Sequence, residues 1–247
     1  MRTLVVIPTY EEALNITEVL SRVRAAAPQV DILVVDDNSP DGTADLARAA
    51  AGELGQVDVL VRAKKDGLGN AYRNGFRVGM DRDYEVLVQM DADLSHDPAA
   101  LPSLFAAIDD GAEAVIGSRY IPGGSVPHWP WYRRALSKWG NRYACFVLGL
   151  SVHDATAGFR AYRVDALQAI DVFSTRAQGY GFQIETAYRI SRSGRRLAEV
   201  PITFTDRVRG VSKMSLSVMV EELLLVTWWG IRDRARALRA RVGRRRS

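Results

Sequence analysis

The chain has 247 residues, of which 47% are hydrophobic and 25% charged, a composition typical of a globular protein with one large core. A single cysteine, Cys145, excludes an internal disulfide, and no cluster of cysteine and histidine indicates a zinc site. The net charge of +4 comes from residues 232–247, which hold eight arginines and one aspartate, so the remaining chain is acidic and a globally basic nucleic-acid binder is poorly supported.

Apolar runs and helical patterns alternate along the first half of the chain. They predict strands over residues 3–7, 31–35, 57–61, 84–89 and 114–117, and helices over 13–27, 43–54, 70–80 and 98–109. Such alternation is typical of βαβ units in a parallel sheet, with the loops that follow the strands gathered at one edge. Beyond Tyr120 the chain becomes a loop rich in proline, glycine and tryptophan, followed by a long helix and shorter elements. No linker divides the two halves, so we expect one α/β domain.

The ends of the first three predicted strands carry polar loops. Glu12 and Asp37 follow the first two strands, where carboxylates suit hydrogen bonds to a base or ribose. Asp41 and Thr43 are better explained as turn and cap residues of the next helix. After the third strand, lysines and two glycines precede a helix and suit an anion at its N-terminus, although the spacing matches neither the dinucleotide fingerprint nor the P-loop.

The fourth predicted strand ends in Asp91-Ala92-Asp93, two carboxylates separated by one residue. Carboxylate oxygens suit Mg²⁺ or Mn²⁺, and such an ion can neutralise a diphosphate leaving group. The alternative is an acidic turn before the helix start at Asp97-Pro98. The motif by itself leaves both interpretations open.

Nine motifs in order resemble the polyprenyl-phosphate (dolichyl-phosphate) mannosyltransferases of glycosyltransferase family 2, over roughly residues 3–214. They are Pro8-Thr-Tyr10-x-Glu12, Val35-Asp-Asp37-Asn-Ser-Pro-Asp-Gly-Thr43, Gly67-Leu-Gly-x-Ala-Tyr72, Met90-Asp-Ala-Asp-Leu-Ser-His96, Gly117-Ser-Arg119-Tyr120, Arg133-x-x-x-Ser137-x-x-x-Asn141, Asp154-x-Thr-x-Gly-Phe-Arg160, Gly179-Tyr-x-Phe-Gln-x-Glu185 and Glu199-Val-Pro-Ile-x-Phe204-x-x-Arg207-x-x-Gly-x-Ser-Lys213-Met214. Two residues depart from that family's usual pattern: Glu11 stands where it usually has Asn, and Ala157 where it usually has Ser. Both flank matched positions, so we expect altered hydrogen bonding and retained activity.

The resemblance implies a GT-A fold, a mainly parallel Rossmann-like sheet flanked by helices, that binds GDP-mannose and a polyprenyl monophosphate. Carried over by motif, the residues expected at the nucleoside are Pro8, Tyr10, Glu12, Val35 and Asp37. Those expected at the diphosphate and its metal are Asp91, Ala92 and Asp93, with Asn141 as a further metal ligand or a helix-packing amide. Those expected at the acceptor phosphate are Arg119, Arg133 and Ser137, while Arg207 and Lys213 would reach phosphate from a late loop, interpreted as a lid.

The implied chemistry agrees with this set of residues. A phosphate monoester is largely a dianion at neutral pH and needs no strong general base, whereas two anions must be brought together. Arginines and a metal meet that need, and an obvious Ser-His-Asp triad is absent from the sequence. We therefore expect in-line attack with inversion, for which Asp93, Arg119, Arg133 and Ser137 are the candidate catalytic residues. For His96 both phosphate contact and a structural role at the helix start stay open, His128 is interpreted as a loop residue and His153 as structural, and none of the three is assigned as a base. Glu185 is interpreted as a buried ion-pair partner.

The chain from residue 214 onward predicts contact with a membrane surface. Residues 214–229 are apolar but interrupted by Glu221 and Glu222, so they cannot span a bilayer. The tandem Trp228-Trp229 followed by arginines suits an interfacial helix on anionic lipid, and the aromatic residues near Arg133 suit a second contact. We therefore divide the chain into a catalytic domain, residues 1–214, and an amphipathic, basic C-terminal segment, residues 215–247. The expected location is the cytoplasmic face of the membrane, with room for a separate membrane protein partner.

Two other functions remain open from the sequence. A polyprenyl-phosphate glucosyltransferase that uses UDP-glucose would share the fold, although such enzymes often carry transmembrane helices after the domain. A non-catalytic lipid-binding scaffold would not need the full set of acidic and basic motif residues. Sugar transfer from GDP-mannose or UDP-glucose to a short polyprenyl phosphate distinguishes the three.

Overall fold

The computed structural model describes residues 1–206 and 223–232 and contains a seven-stranded sheet. The strands are β1 (Thr3–Thr9), β2 (Asp31–Asp36), β3 (Val57–Val61), β4 (Val86–Gln89), β5 (Ala114–Ser118), β6 (Arg160–Arg163) and β7 (Leu197–Pro201). Their order is β3-β2-β1-β4-β6-β5-β7, and only β6 runs antiparallel to its neighbours. The predicted α/β fold with a mainly parallel sheet is confirmed.

Helices cover both faces of the sheet. They are α1 (Ile16–Ala26), α2 (Thr43–Leu54), α3 (Leu68–Asp81), α4 (Leu101–Asp109), α5 (Trp131–Leu148), α6 (Val164–Ala169) and α7 (Gly179–Arg192), with 3-10 turns at Pro98–Ala100 and Val172–Ser174. Residues 223–232 are helical and pack on α5, where Gly230 meets Val147 and the Tyr143 and Thr227 hydroxyls lie 2.7 Å apart. None of the helices in the described ranges is long and apolar enough to cross a membrane.

The alternation of side chains along β1 explains why the sheet is buried on both faces. Val5 and Ile7 join a core cluster with α1, α2 and α4, whereas Leu4 and Val6 join a second cluster with α3, α6 and α7. Both clusters are almost fully buried, as expected for a parallel sheet between two helical layers. α3 comes close enough to β1 that a side chain at Gly75 would collide with Val6.

The observed boundaries differ from the predicted ones where local hydrogen bonds compete with helix formation. The first helix begins at Ile16 rather than at residue 13; residues 13–15 form a turn in which the Asn15 amide donates to the Glu12 carbonyl. The helix predicted over residues 98–109 begins with a 3-10 turn, which the Asp97 carboxylate caps by accepting from the Ala99 amide at 3.0 Å.

The strand order positions the functional loops. From β1 the sheet grows through β2 to β3 on one side, and the chain then returns to place β4 on the other side of β1. The strand order therefore reverses between β1 and β4. In open α/β sheets a cleft forms at the carboxyl ends of the strands where the order reverses. Tyr10, Asp37 and Asp91, which follow β1, β2 and β4, all border that cleft.

Candidate active site

A cavity of about 1240 Å³ lies at the carboxyl ends of β1, β2 and β4. Its lining includes residues that follow strands, the first turns of α3 and α7, the segment before α5, and the helix over residues 223–232. Of the residues predicted from the sequence, those that line it are Pro8, Tyr10, Glu12, Asp37, Asp91, Ala92, Asp93, Arg119 and Arg133. The fold therefore brings nine separate predictions into one cavity.

The side of the cavity beyond β1 and β2 carries Tyr10 and Asp37. The ammonium of Lys65 lies 3.7 Å from the centre of the Tyr10 ring, and Arg62 donates a 2.6 Å hydrogen bond to Asp37. Burial raises the pKa of the Asp37 carboxyl, and Arg62 opposes that shift without cancelling it. This side offers an aromatic ring and a buried carboxylate, groups suited to a base and a ribose.

Neighbouring polar residues hold the two strand-end loops together. Thr43 donates to Asp41 at 2.6 Å and accepts from the Glu12 amide at 3.0 Å, so both act within the turn, as predicted. Val35 is fully buried in the core cluster against α3, where it would contact a side chain at Gly75, and does not line the cavity. Any contact of Val35 with a nucleoside would therefore use its main chain.

Asp91 is held on two sides. The Tyr72 hydroxyl donates to Asp91 Oδ1 at 2.9 Å, and the Asp91 amide donates to His96 Nδ1 at 3.1 Å. Burial, with the Asp91 charge beside it, raises the pKa of Tyr72 well above its ordinary value, so the hydroxyl stays a donor throughout the physiological range. His96 is buried and stacks on Phe159, as a structural residue would, and it also belongs to the cavity lining.

The two aspartates fit a divalent cation. The Asp91 side chain is 30% exposed and lines the cavity; Asp93 lines it too, and its Oδ1 accepts from the Ser95 amide and hydroxyl. The described residues hold no group of three or more acidic, histidine or cysteine side chains placed to ligate one ion, and two carboxylates suit an ion that also takes oxygens from substrate phosphates. This donor set favours Mg²⁺ or Mn²⁺ over zinc.

Asn141 lies outside the cavity lining. Its side-chain amide donates to Thr156 Oγ1 at 3.0 Å, and its oxygen accepts from the Thr156 amide at 3.2 Å. Both ends of the amide are thus engaged with Thr156, which does line the cavity. Of the two roles left open by the sequence, these contacts correspond to packing.

Arg119 is fixed by a buried carboxylate that the sequence did not single out. Its guanidinium donates to both oxygens of Asp154 at 2.7 Å, and also to Thr156 Oγ1 at 2.8 Å. Asp154 is fully buried, and Glu199 in turn accepts from the amides of His153 and Asp154. Asp154 is the first residue of one of the matched motifs, and this was the only sign in the sequence that it matters for the site. No sequence pattern connects it to Arg119.

Arg133 lies at the first turn of α5, beside Trp129. Its guanidinium lies 4.1 Å from the centre of the Trp129 ring and donates to both oxygens of Asp206 at 3.0 and 3.1 Å. Ser137, one turn further along α5, accepts a 2.6 Å hydrogen bond from Tyr120 and does not line the cavity. Arg207 and Lys213, and the loop between them, lie outside the described residues, as do residues 214–222 and 233–247.

The segment before α7 forms part of the cavity wall that sequence analysis missed. The Glu185 carboxylate accepts from the amides of Arg176 and Ala177 at 3.0 Å and pairs with Arg189 at 2.6 Å. The predicted ion-pair role of Glu185 is confirmed, and the pair fixes the backbone that carries Arg176 into the cavity lining. Gly69 on α3 lies so close to the Ala177 carbonyl that a side chain there would collide with it.

The outer surface of α5 and the helix over residues 223–232 is aromatic and basic. Its exposed apolar side chains are Trp131, Tyr132, Leu136, Trp139, Phe146, Leu224, Trp228 and Ile231. α5 carries four cations and no carboxylate, and Arg232 lies over the Trp228 ring at 4.6 Å. Apolar groups exposed in this number on one side of a protein indicate an interaction surface.

Comparison with known proteins agrees with this geometry. Residues 4–171 match the family model of glycosyl transferase family 2. The chain is 50% identical to an undecaprenyl-phosphate mannosyltransferase of Micrococcus luteus, over 98% of this chain and all of the relative, and 52% identical to a polyprenol monophosphomannose synthase of Mycolicibacterium smegmatis, over 96% and 91%. A mannosyltransferase of Pyrobaculum calidifontis, solved with GDP-mannose and Mn²⁺, has the same fold with a TM-score of 0.60 at 17% identity, over 98% of this chain and 75% of that one.

Proposed function

The chain belongs to glycosyltransferase family 2, and we propose that it transfers mannose from GDP-mannose to a polyprenyl monophosphate with inversion, giving polyprenyl-phosphate mannose and GDP. Two relatives at 50% identity or more are named for mannose transfer to such lipids. The observation that carries the proposal is the meeting of a pair of aspartates, Asp91 and Asp93, and two arginines, Arg119 and Arg133, in one cavity.

The reaction needs this division of charge. The acceptor phosphate is a dianion that attacks the anomeric carbon of mannose, and the departing group is a nucleoside diphosphate. The arginines attract and orient the acceptor phosphate, since guanidinium groups bind phosphate oxygens in a fixed fork. Because the nucleophile is already ionised, no side chain has to remove a proton, which agrees with the structural roles of His96 and Glu185.

We assign the binding roles as follows. Pro8, Tyr10, Glu12, Asp37 and the main chain of Val35 bind the nucleoside. Asp91, Ala92 and Asp93 face the diphosphate, with Asp91 and Asp93 as the ligands of Mg²⁺ or Mn²⁺, an ion that stabilises charge on the departing diphosphate. A solved neighbour with Mn²⁺ and GDP-mannose supports the choice of ion and donor. Asn141, which was expected as a further metal ligand, instead orients Thr156 through its side-chain amide. Arg207 and Lys213 complete the phosphate contacts from the late loop.

We assign binding of the acceptor phosphate to Arg119 and Arg133. Arg119 is the rigid member, because Asp154 holds it bidentately in the protein interior. Arg133 is partly exposed, and its pairing with Asp206 is an ion pair open to water, so an incoming dianion can replace the carboxylate. Ser137 supports this side through its hydrogen bond with Tyr120.

The acceptor's lipid character gives a role to the aromatic, basic surface of α5 and residues 223–232. We propose that this surface rests on the anionic cytoplasmic face of a membrane, with Trp139 and Phe146 at headgroup depth and Arg134 and Lys138 near lipid phosphates. The cavity lining includes Trp228 and Arg232 of the same surface, so a membrane-bound acceptor would enter from that side. We keep residues 1–214 as the catalytic domain and 215–247 as the membrane-contacting segment, beside which a membrane protein partner could sit.

Transfer of radiolabelled sugar to a short, water-soluble polyprenyl phosphate tests the function. We expect turnover with GDP-mannose plus Mg²⁺ or Mn²⁺, little with UDP-glucose, and none after removal of the metal. Asp93→Ala should lower turnover by at least 1000-fold, whereas Asp97→Ala, in the same loop and acting only as a helix cap, should retain it. Faster turnover with UDP-glucose would show that the enzyme transfers glucose rather than mannose. Near-normal turnover of Asp93→Ala would show that Asp93 is not a metal ligand.

Sedimentation with vesicles tests the membrane contact separately. The protein should bind vesicles that contain phosphatidylglycerol more tightly than neutral ones, and a double Trp139→Ser and Phe146→Ser variant should bind at least tenfold more weakly. Leu46→Ser, which removes an exposed apolar side chain from α2 on another part of the surface, is the matched control. Equal binding by the double variant and the control would contradict the assignment of this surface.

A further inference from the structure

Trp129 carries a polar group without a partner in the wall of the cavity. The residue lies in the loop before α5 and is 8% exposed. Its indole Nε1 is buried, and no acceptor lies within hydrogen-bonding distance of it in residues 1–206 or 223–232. Two other side-chain atoms of the described chain share that condition, on Asn15 and Arg24, and neither residue lines the cavity. Buried donors in folded proteins are nearly always paired, so an unpaired one on a residue of the cavity wall is a candidate donor to a bound ligand.

The groups around the indole define the charge of that ligand. The Arg133 guanidinium lies 4.1 Å from the centre of the Trp129 ring and that of Arg119 lies 5.8 Å away, while Phe204 contacts the ring edge-on at 5.6 Å. An indole N–H can only donate a hydrogen bond. Two cations and a lone donor together suit an anion that has several acceptor oxygens, such as a phosphate.

We propose that the indole N–H of Trp129 donates a hydrogen bond to the phosphate of the acceptor lipid, between Arg119 and Arg133. The inference rests on the proposed function and adds a binding residue to it. The diphosphate of the donor is the other phosphate source. We assign the acceptor because Trp129 packs against Arg133 at the start of α5, next to the surface proposed to face the lipid, whereas Asp91 and Asp93 follow β4.

Asp206 indicates how the site is kept before the acceptor binds. Its carboxylate accepts a hydrogen bond from Arg133, and Asp206 lines the same cavity. In the structure Asp206 therefore pairs with the guanidinium that the phosphate would bind. The pair is partly exposed on both sides and therefore weak. A phosphate dianion carries more charge than a carboxylate, so it displaces Asp206 and brings its oxygens to the Arg133–Trp129 pair.

The test must separate the N–H from the ring, because the ring also packs against Phe204 and two arginines. Replacing the Trp129 indole by benzothiophene, through incorporation of the benzothienyl analogue of tryptophan, puts sulfur in place of Nε1 and keeps the shape. Trp129→Phe is the simpler variant, which also shortens the ring. Tyr84→Phe is the matched control, since it removes one hydroxyl donor to Asp31 at a strand edge that does not line the cavity.

Steady-state kinetics with a short polyprenyl phosphate give the result. The benzothienyl protein should show a KM for the acceptor raised about tenfold, the loss expected for one hydrogen bond to a charged group, with the KM for GDP-mannose unchanged within twofold. Tyr84→Phe should leave both constants unchanged. A raised KM for GDP-mannose alone would assign the N–H to the donor diphosphate and overturn the proposal, as would two unchanged constants in both Trp129 variants.

The proposed function can fail separately. If the unmodified protein transfers no sugar to any polyprenyl phosphate, then the function is wrong, and isothermal titration of the same acceptor into the protein still measures the role of the N–H. Binding weakened about tenfold by the benzothienyl substitution supports the site, and unchanged binding overturns it.

Discussion

Removing one hydroxyl, with Tyr72→Phe, should weaken metal binding without unfolding the protein. The Tyr72 hydroxyl donates to Asp91 Oδ1 at 2.9 Å, and the ring stacks on Phe182 with its centre 6.1 Å away. Phenylalanine keeps that stacking and removes only the donor. A hydrogen bond to a charged group contributes about 1.5–3 kcal/mol, and because Asp91 is partly exposed, water recovers part of this. We therefore expect the lower end, about 1.5 kcal/mol, or roughly a tenfold weaker metal Kd, within the range of about 10–100-fold seen for groups that orient metal ligands.

Titration of Mn²⁺, followed by electron paramagnetic resonance in the presence of GDP, measures that Kd directly. Turnover of Tyr72→Phe should be low at limiting metal and recover at saturating metal, because the hydroxyl positions Asp91 without touching substrate. Tyr162→Phe is the matched control, since Tyr162 is equally buried and its hydroxyl contacts Gln89 rather than a carboxylate. An unchanged Kd for Tyr72→Phe, or an equal loss in the control, would refute the reasoning.

Three further outcomes follow from buried groups. Asp154→Ala should lower the free energy of unfolding by about 3–5 kcal/mol in urea denaturation, because it leaves the Arg119 charge buried without a carboxylate; a loss below 1 kcal/mol would contradict this. Burial raises the pKa of Cys145 to about 11, so at pH 8 its thiolate fraction is roughly 100-fold below that of a thiol with the ordinary pKa. Alkylation of Cys145 should therefore be slow until the protein unfolds, and rapid labelling of the folded protein would contradict this prediction. Gly75→Ala should cost about 1–3 kcal/mol by forcing α3 from β1, whereas Gly52→Ala, with nothing within 4 Å of the added methyl group, should be neutral or stabilising in thermal unfolding.

The features that the sequence predicted well are local. The strand over residues 57–61 and the helix over residues 43–54 have the predicted bounds, because residue periodicity and turn residues are encoded within a few positions of each other. The candidate carboxylates could be placed because parallel strands necessarily end at one edge of the sheet. The GT-A fold and the sugar-transfer class followed from motifs in register, and both are confirmed by the family match.

The features that the sequence did not predict depend on contacts between distant segments. Tyr72 and Asp91 are 19 residues apart, and Arg119 and Asp154 are 35 apart, so no periodicity relates them. The antiparallel direction of β6 was also not predicted, because a strand of four residues carries no signal of its orientation. Similarly, the contact that engages both ends of the Asn141 amide depends on where the Thr156 loop folds, which sequence spacing does not specify.

The Arg160 guanidinium connects two walls of the cavity mechanically. It is fully buried and donates to the carbonyls of Ala155 and Ala157 in one loop and of Gln183 in α7, each at 2.7 Å. Because these three bonds share one rigid planar group, the loop and the helix must shift together or not at all. The loop and α7 therefore form one mechanical unit of the cavity wall, so a change that displaces either segment is transmitted to the other.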